Sequence, residues 1–178
     1  MKDIKKVIED TQKRLTEKFS YKNVHQVPKI EKVIIHRGLG EALTNSAVIE
    51  KTYELFYAIT GQKPVFTKAK KSISNFKLRE GQVVGCKVTL RAKKMENFLS
   101  NLFYLSLPKI RDFRGISKKG CDQFGNFSFG IRDDSIFPES NTELDNLRGM
   151  DITICTTSNS KEELLFLLEN IGVPFKVN

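Results

Sequence analysis

The chain is poor in the residues that most metal and nucleophilic chemistry needs. Its 178 residues hold two histidines, His25 and His36, and three cysteines, Cys86, Cys121 and Cys155. No Cys-x-x-Cys pair occurs, so the ligand set of a tetrahedral zinc site is missing. The cysteines are odd in number and more than 30 positions apart, which reads as free thiols in a reducing compartment rather than a disulfide framework. Long apolar runs are also lacking. The strongest, Leu164-Leu165-Phe166-Leu167-Leu168, falls far short of the ~18 residues of a bilayer span, and no membrane association is expected. The opening residues Met1 to Asp10 mix both charges and have no apolar stretch of the secretory kind, so they read as a mature start.

Glycine is missing where nucleotide chemistry would require it. Gly38-Leu39-Gly40-Glu41-Ala42 begins like a dinucleotide fingerprint, but Leu43 stands where the third glycine belongs. Thr67 to Ser72 has lysines without the glycines of a phosphate-binding loop. Asp133-Asp134, with Asp122, Glu139 and Asp151, could in principle hold magnesium. Adjacent acids on a strand point to opposite faces, however, and a solvated turn is the better expectation there. No nucleophile and base come together, no cofactor is implied, and an enzyme is not supported.

What is present suffices for a globular fold. With 39% hydrophobic and 10% aromatic residues the chain can close a core, and its length suits one domain spanning 1–178, since domains run to ~100–200 residues. The net charge of +9 is unevenly spread. Residues 61–94 carry ten basic side chains against the single acid Glu80, whereas 120–160 carry seven acids against Arg132 and Arg148. A polyanionic partner for the middle of the chain follows from that distribution.

Apolar residues recur at helical spacing in four places: Ile4, Val7, Ile8, Leu15 and Phe19 within 1–20; Val48 to Ile59, closed by Gly61; Met95 to Phe103, stopping before Pro108; and Leu164 to Ile171. The last is opened by the capping box Ser160 to Glu163 and closed by Gly172. Two-residue alternation marks strands at 31–37, 84–91, 127–132 and 151–157. In each, one side is apolar and the other offers residues such as Lys32, His36, Lys87, Thr89, Arg91, Ser128 and Thr153. The expected fold is therefore α+β, with two layers: an antiparallel sheet whose helices pack on one face and whose other face is open. A long basic loop, 67–83, interleaves Lys68, Lys70, Lys71, Lys77 and Arg79 with Ser72 and Phe76, a composition suited to a nucleic-acid backbone.

Eight blocks, in order, resemble the bacterial and organellar form of the ribosomal protein L5 family. They are Val27 to Val33, Gly38 to Ala42, Gly61 to Pro64, Thr67 to Gly81, Gly85 to Arg91, Leu107 to Gly115, Ile136 to Glu139 and Arg148 to Ile152. The resemblance implies a structural protein of the central protuberance of the large ribosomal subunit. By that resemblance the open sheet face binds 5S rRNA through His36, Gln62, Thr89 and Arg91, with Lys87 on the same strand face. His36 stands where the family commonly has Asn, and Arg37 beside it is also atypical. The basic loop, through Lys68, Lys70, Lys71, Ser72, Phe76, Lys77 and Arg79, would reach P-site tRNA and large-subunit rRNA. The acidic stretch 137–148, with Glu143 and Asp145, would face a basic protein of the small-subunit head across an intersubunit bridge. Other central-protuberance proteins would be neighbours. The excess of 22 Lys over 8 Arg, with 13 Phe, suits an AT-rich genome and a plastid stroma, with a bacterial cytoplasm as the alternative. A free-standing RNA-binding or RNA-remodelling module is the alternative function.

Overall fold

The structure, a computed structural model, describes residues 4–40, 46–111, 113–140 and 148–176. In chain order its elements are α1 (Ile4–Phe19), β1 (Ile30–Gly38), α2 (Ala47–Thr60), β2 (Val65–Lys68), β3 (Val83–Leu90), α3 (Ala92–Asn101), β4 (Asn126–Ile131), β5 (Met150–Thr156) and α4 (Lys161–Ile171). The strands form one sheet in the order β2-β3-β1-β5-β4, with every neighbouring pair antiparallel. The α+β expectation is met. Among the described residues no helix is long and apolar enough to cross a membrane.

Alternation along the strands sorts the two faces. Val33 and Ile35 of β1, Cys86, Val88 and Leu90 of β3, Phe127 and Ile131 of β4, and Ile152 and Ile154 of β5 are all buried. They pack with Leu15, Phe56, Phe98 and Leu99 from α1 to α3 in a single apolar cluster. Helix α4 shows why its sequence specifies its position. The Ser160 side chain accepts from Glu163 N at 3.2 Å, Glu163 reaches back to Asn159 N at 3.1 Å, and Gly172 ends the helix at φ 107°. Between those stops Leu164, Leu167, Leu168 and Ile171 are fully enclosed. Each such side chain stabilises the fold by about 1.5–3 kcal/mol relative to exposure.

Two local expectations need correcting. The third helix does not stop cleanly before Pro108: α3 runs on through a widened π-type turn over Leu102–Ser106 and a tight turn at Leu107–Lys109. Pro108 has no N–H to continue an α-helical ladder, so the chain leaves the helix there. The second correction concerns Asp134, which is not in a solvated turn. It is buried, and Arg37 Nη2 donates to its Oδ2 at 2.9 Å. Arg37 occupies the core-facing side of β1 beside Ile35, so an arginine at an apolar position requires a buried carboxylate opposite it. The long basic loop expected at 67–83 lies between β2 and β3, and the hydrogen bonds described below order it as a hairpin.

All three cysteines are free thiols, and burial raises the pKa of each. For Cys86, completely enclosed under β3, burial pushes it up to about 11. Since the thiolate is the reactive form, native protein at pH 8 should leave Cys86 unmodified by an aromatic disulfide reagent until it is denatured, with Cys121 and Cys155 reacting first and slowly. Stoichiometric, rapid labelling of Cys86 in the native state would contradict its seat in the core.

Candidate nucleic-acid interface

The open sheet face is built by cross-strand register. Lys87 of β3 lies opposite His36 of β1, and His36 in turn opposite Asp151 of β5. One row along, Thr89 is opposite Ile34, Ile34 opposite Thr153, and Thr153 opposite Ser128 of β4. Arg91 follows β3 in extended backbone, φ −138° and ψ 160°, and so continues the alternation of Lys87 and Thr89. Its charge is felt on this face. Burial raises the Cys155 thiol's pKa, while the cations of Lys32 and Arg91 pull it down.

Gln62 joins the group from outside the sheet. Helix α2 ends at Gly61 in the left-handed region, φ 61°, which turns the chain back toward β3. The pairing of β2 with β3 begins at Val65 and Lys87, so the Thr89 carbonyl lies past the end of it. Gln62 Nε2 donates to that carbonyl at 3.1 Å, and Lys94 Nζ donates to the Gly61 carbonyl at 2.8 Å. The structure thus brings Gln62 to the Thr89 backbone at the edge of β3, past the end of its pairing with β2.

This face is divided in its hydrogen bonding. On β4 and β5, Ser128 Oγ and Thr153 Oγ1 bond one another at 3.0 Å, and Asn126 Nδ2 donates to Asp122 at 2.7 Å. The bonds from Asn126 hold the Asp122 carboxyl below its usual range. On β1 to β3, the side chains of His36, Thr67, Lys87, Thr89 and Arg91 make no hydrogen bond or ion pair with any described residue. The sequence had not singled out Thr67 as a sheet-face residue. Its opposition to Gly85 in register places it there, and the spacing Val65, Thr67 was the signal, too short in a four-residue strand to read alone.

The basic hairpin joins Lys68 to Val83 and so projects from the end of β3 opposite to Thr89 and Arg91. Ala69 N donates to the Gln82 carbonyl at 2.8 Å and Gly81 N to that of Ala69 at 3.0 Å; further out, Ile73 and Leu78 exchange both backbone bonds, at 2.9 and 3.1 Å. The tip Ser74–Phe76 is a single tight turn, closed by Lys77 at φ 50°. Ser72 is a brace as well as a surface residue, since its Oγ accepts from Glu80 N at 2.9 Å. Lys68, Lys70, Lys71, Lys77 and Arg79 are all exposed, and none forms an ion pair among the described residues. Phe76 is 71% exposed at the tip, away from the core. Glu143 and Asp145 lie outside the described residues. Among those described, no three acidic, histidine or cysteine side chains cluster as metal ligands would.

The fold is thus an α+β sheet with helices on one face, Lys87 and Arg91 on the other, and a separate basic hairpin between β2 and β3. Comparison with known proteins gives the family. A family model described as Ribosomal protein L5 matches residues 23–79, and one for the C-terminus of the same ribosomal family matches residues 83–175. The first ends in the hairpin that β2 enters and the second begins at β3, so both contribute strands to the one sheet. The chain is 52% identical to the large ribosomal subunit protein uL5 of Picosynechococcus sp., covering 92% of this chain and 91% of that one. It is 52% identical to the uL5c protein of Gracilaria tenuistipitata var. liui and 49% identical to the uL5 protein of Geobacter sulfurreducens, with 92% of each chain covered in both cases. The chain belongs to the ribosomal protein L5 family.

Proposed function

We propose that this protein is a non-catalytic component of the large ribosomal subunit that binds 5S rRNA on the β1 to β3 half of its open sheet face. The observation that carries this is the division of that face. The side chains of His36, Lys87, Thr89 and Arg91 have no hydrogen-bonding partner among the described residues, whereas their counterparts on β4 and β5 bond each other. Lys87 and Arg91 supply charge for phosphates; His36, Gln62 and Thr89 supply hydrogen-bonding groups for sugars and base edges. The basic hairpin then contacts P-site tRNA and large-subunit rRNA through Lys68, Lys70, Lys71, Ser72, Phe76, Lys77 and Arg79. Glu143 and Asp145 provide the sign needed to meet a basic small-subunit head protein. The relatives include both bacterial-type uL5 and uL5c proteins, and a plastid ribosome suits the lysine-rich composition.

Arg91→Ala should weaken binding of a 5S rRNA transcript by about 1–3 kcal/mol in a filter-binding titration, with no change in thermal midpoint. An affinity equal to that of the unaltered protein would remove Arg91 from the interface. Full RNA affinity without co-sedimentation with large subunits would point instead to a free-standing RNA-binding module.

A further inference from the structure

We infer that the outer edge of β4 is a docking site for an extended, acidic segment of a partner protein, which adds to the sheet as a short strand. This edge is at the far side of the sheet from β2 and β3. Its backbone orientation follows from the turn that enters it. Asp122 N donates to the Asn126 carbonyl at 2.9 Å and Asn126 N to Asp122 Oδ1 at 2.7 Å, so the backbone groups of Asn126 face away from β5. Antiparallel pairing turns alternate residues the same way, which directs those of Ser128 and Gly130 outward as well. Ser128 is covered, because a methyl group added to Gly120 would collide with its carbonyl. Gly130 has no such cover: it is exposed, and its outward N–H and C=O bond no described residue. An uncovered strand edge is a template for another strand.

A cleft of about 750 Å³ runs beside Gly130, between β4 and the segment 107–120, within the ~300–1,000 Å³ of typical ligand clefts. Ile110, Phe113 and Phe129 are half-buried in its wall, and Arg111, Lys119 and Arg132 stand against Asp133 among the described lining residues. These three cations are exposed and form no ion pair with a described residue. Together the features select the occupant. A polypeptide main chain carries the N–H and C=O that Gly130 can pair with, and its alternate side chains point to opposite sides. Apolar residues at every second position then meet Ile110, Phe113 and Phe129, and carboxylates between them meet the cations. A polynucleotide would satisfy the cations but leave Gly130 without a main-chain partner. The site lies apart from the β1 to β3 half proposed for 5S rRNA and does not depend on it.

The test is fluorescence anisotropy with the full chain and a labelled, end-capped hexapeptide of alternating glutamate and leucine. Saturable binding is expected, and it should vanish when lysines replace the glutamates. Methylating the backbone nitrogens of every second residue, in the two possible frames, should weaken binding at least ten-fold in one frame, since one set of N–H groups faces Gly130. Arg111→Glu combined with Arg132→Glu should cost at least ten-fold and leave 5S rRNA binding unchanged. Gly130→Pro, which removes an outward N–H but no bond to β5, should have a similar effect. Circular dichroism identifies a Gly130→Pro variant that has failed to fold, and the methylated peptides carry the comparison in that case. Absence of saturable binding, or binding that both methylated peptides retain or that the charge reversals leave intact, would overturn the inference. Displacement of the peptide by a six-nucleotide oligouridylate in the unaltered protein, but not in the charge-reversed one, would assign the cleft to RNA and overturn it equally.

Discussion

Replacing Arg37 with alanine is expected to cost about 3–5 kcal/mol of folding stability, because it strands a buried carboxylate. Arg37 and Asp134 are 3% and 1% exposed, so water cannot solvate the acid once its partner is gone. The guanidinium does more than neutralise it. Nε donates to the Gly149 carbonyl at 3.0 Å and Nη2 to that of Arg148 at 3.1 Å, while the group lies 5.4 Å from the centre of the Phe56 ring. Burial lowers the guanidinium's pKa, and the Asp134 charge opposes that shift. In a chain of this size the loss corresponds to a fall in thermal midpoint of about 10 °C or more. Arg37→Met with Asp134→Leu should recover much of it, since replacing both members of a buried pair by apolar side chains removes the unpaired charge. A single-variant loss below about 1 kcal/mol in urea unfolding would show that the pair is not sealed from solvent.

The other large effect should come from the hairpin. Substituting Lys70, Lys71 and Lys77 together by glutamine should weaken retention of P-site tRNA in assembled ribosomes by up to about a hundred-fold at 0.1 M salt, through the loss of phosphate contacts and of the counterions they release. The dependence of that retention on salt should flatten at the same time. These residues are exposed and the hairpin is held by backbone bonds and by Ser72, so folding and binding of isolated 5S rRNA should be unchanged. The opposite outcome, with 5S rRNA lost and tRNA retained, would exchange the roles assigned to hairpin and sheet.

The strands and helices were legible where one face of each element is buried. Lys87, Thr89 and the buried Val88 and Leu90 follow a two-residue period that a single strand cannot hide, and Ser160 and Gly172 mark the ends of α4 by their chemistry. The hairpin was less legible because its order comes from two backbone bonds between Ile73 and Leu78 and a side-chain brace from Ser72, and none of these has a periodic signature. Nor could local pattern find the Arg37–Asp134 pair. Its members are 97 residues apart, and an arginine in alternation with Val33 and Ile35 reads as a break in the pattern until its partner is placed. Gln62 and Thr67 illustrate the same limit, since each acquires its meaning from β3, a neighbour distant in the chain.

The order His36, Arg37 on β1 has a further consequence for how the sheet assembles. These two residues face opposite ways, one toward the open surface and the other into the core. Sliding β1 by one position against β3 and β5 would exchange them, turning the imidazole inward and leaving the Asp134 carboxylate buried without its cation. Only one alignment of the central strand both neutralises the core and presents the surface residue. The buried pair thus serves as a proofreader of strand alignment: a chain that has folded stably has, by the same event, set its outer face in the correct frame.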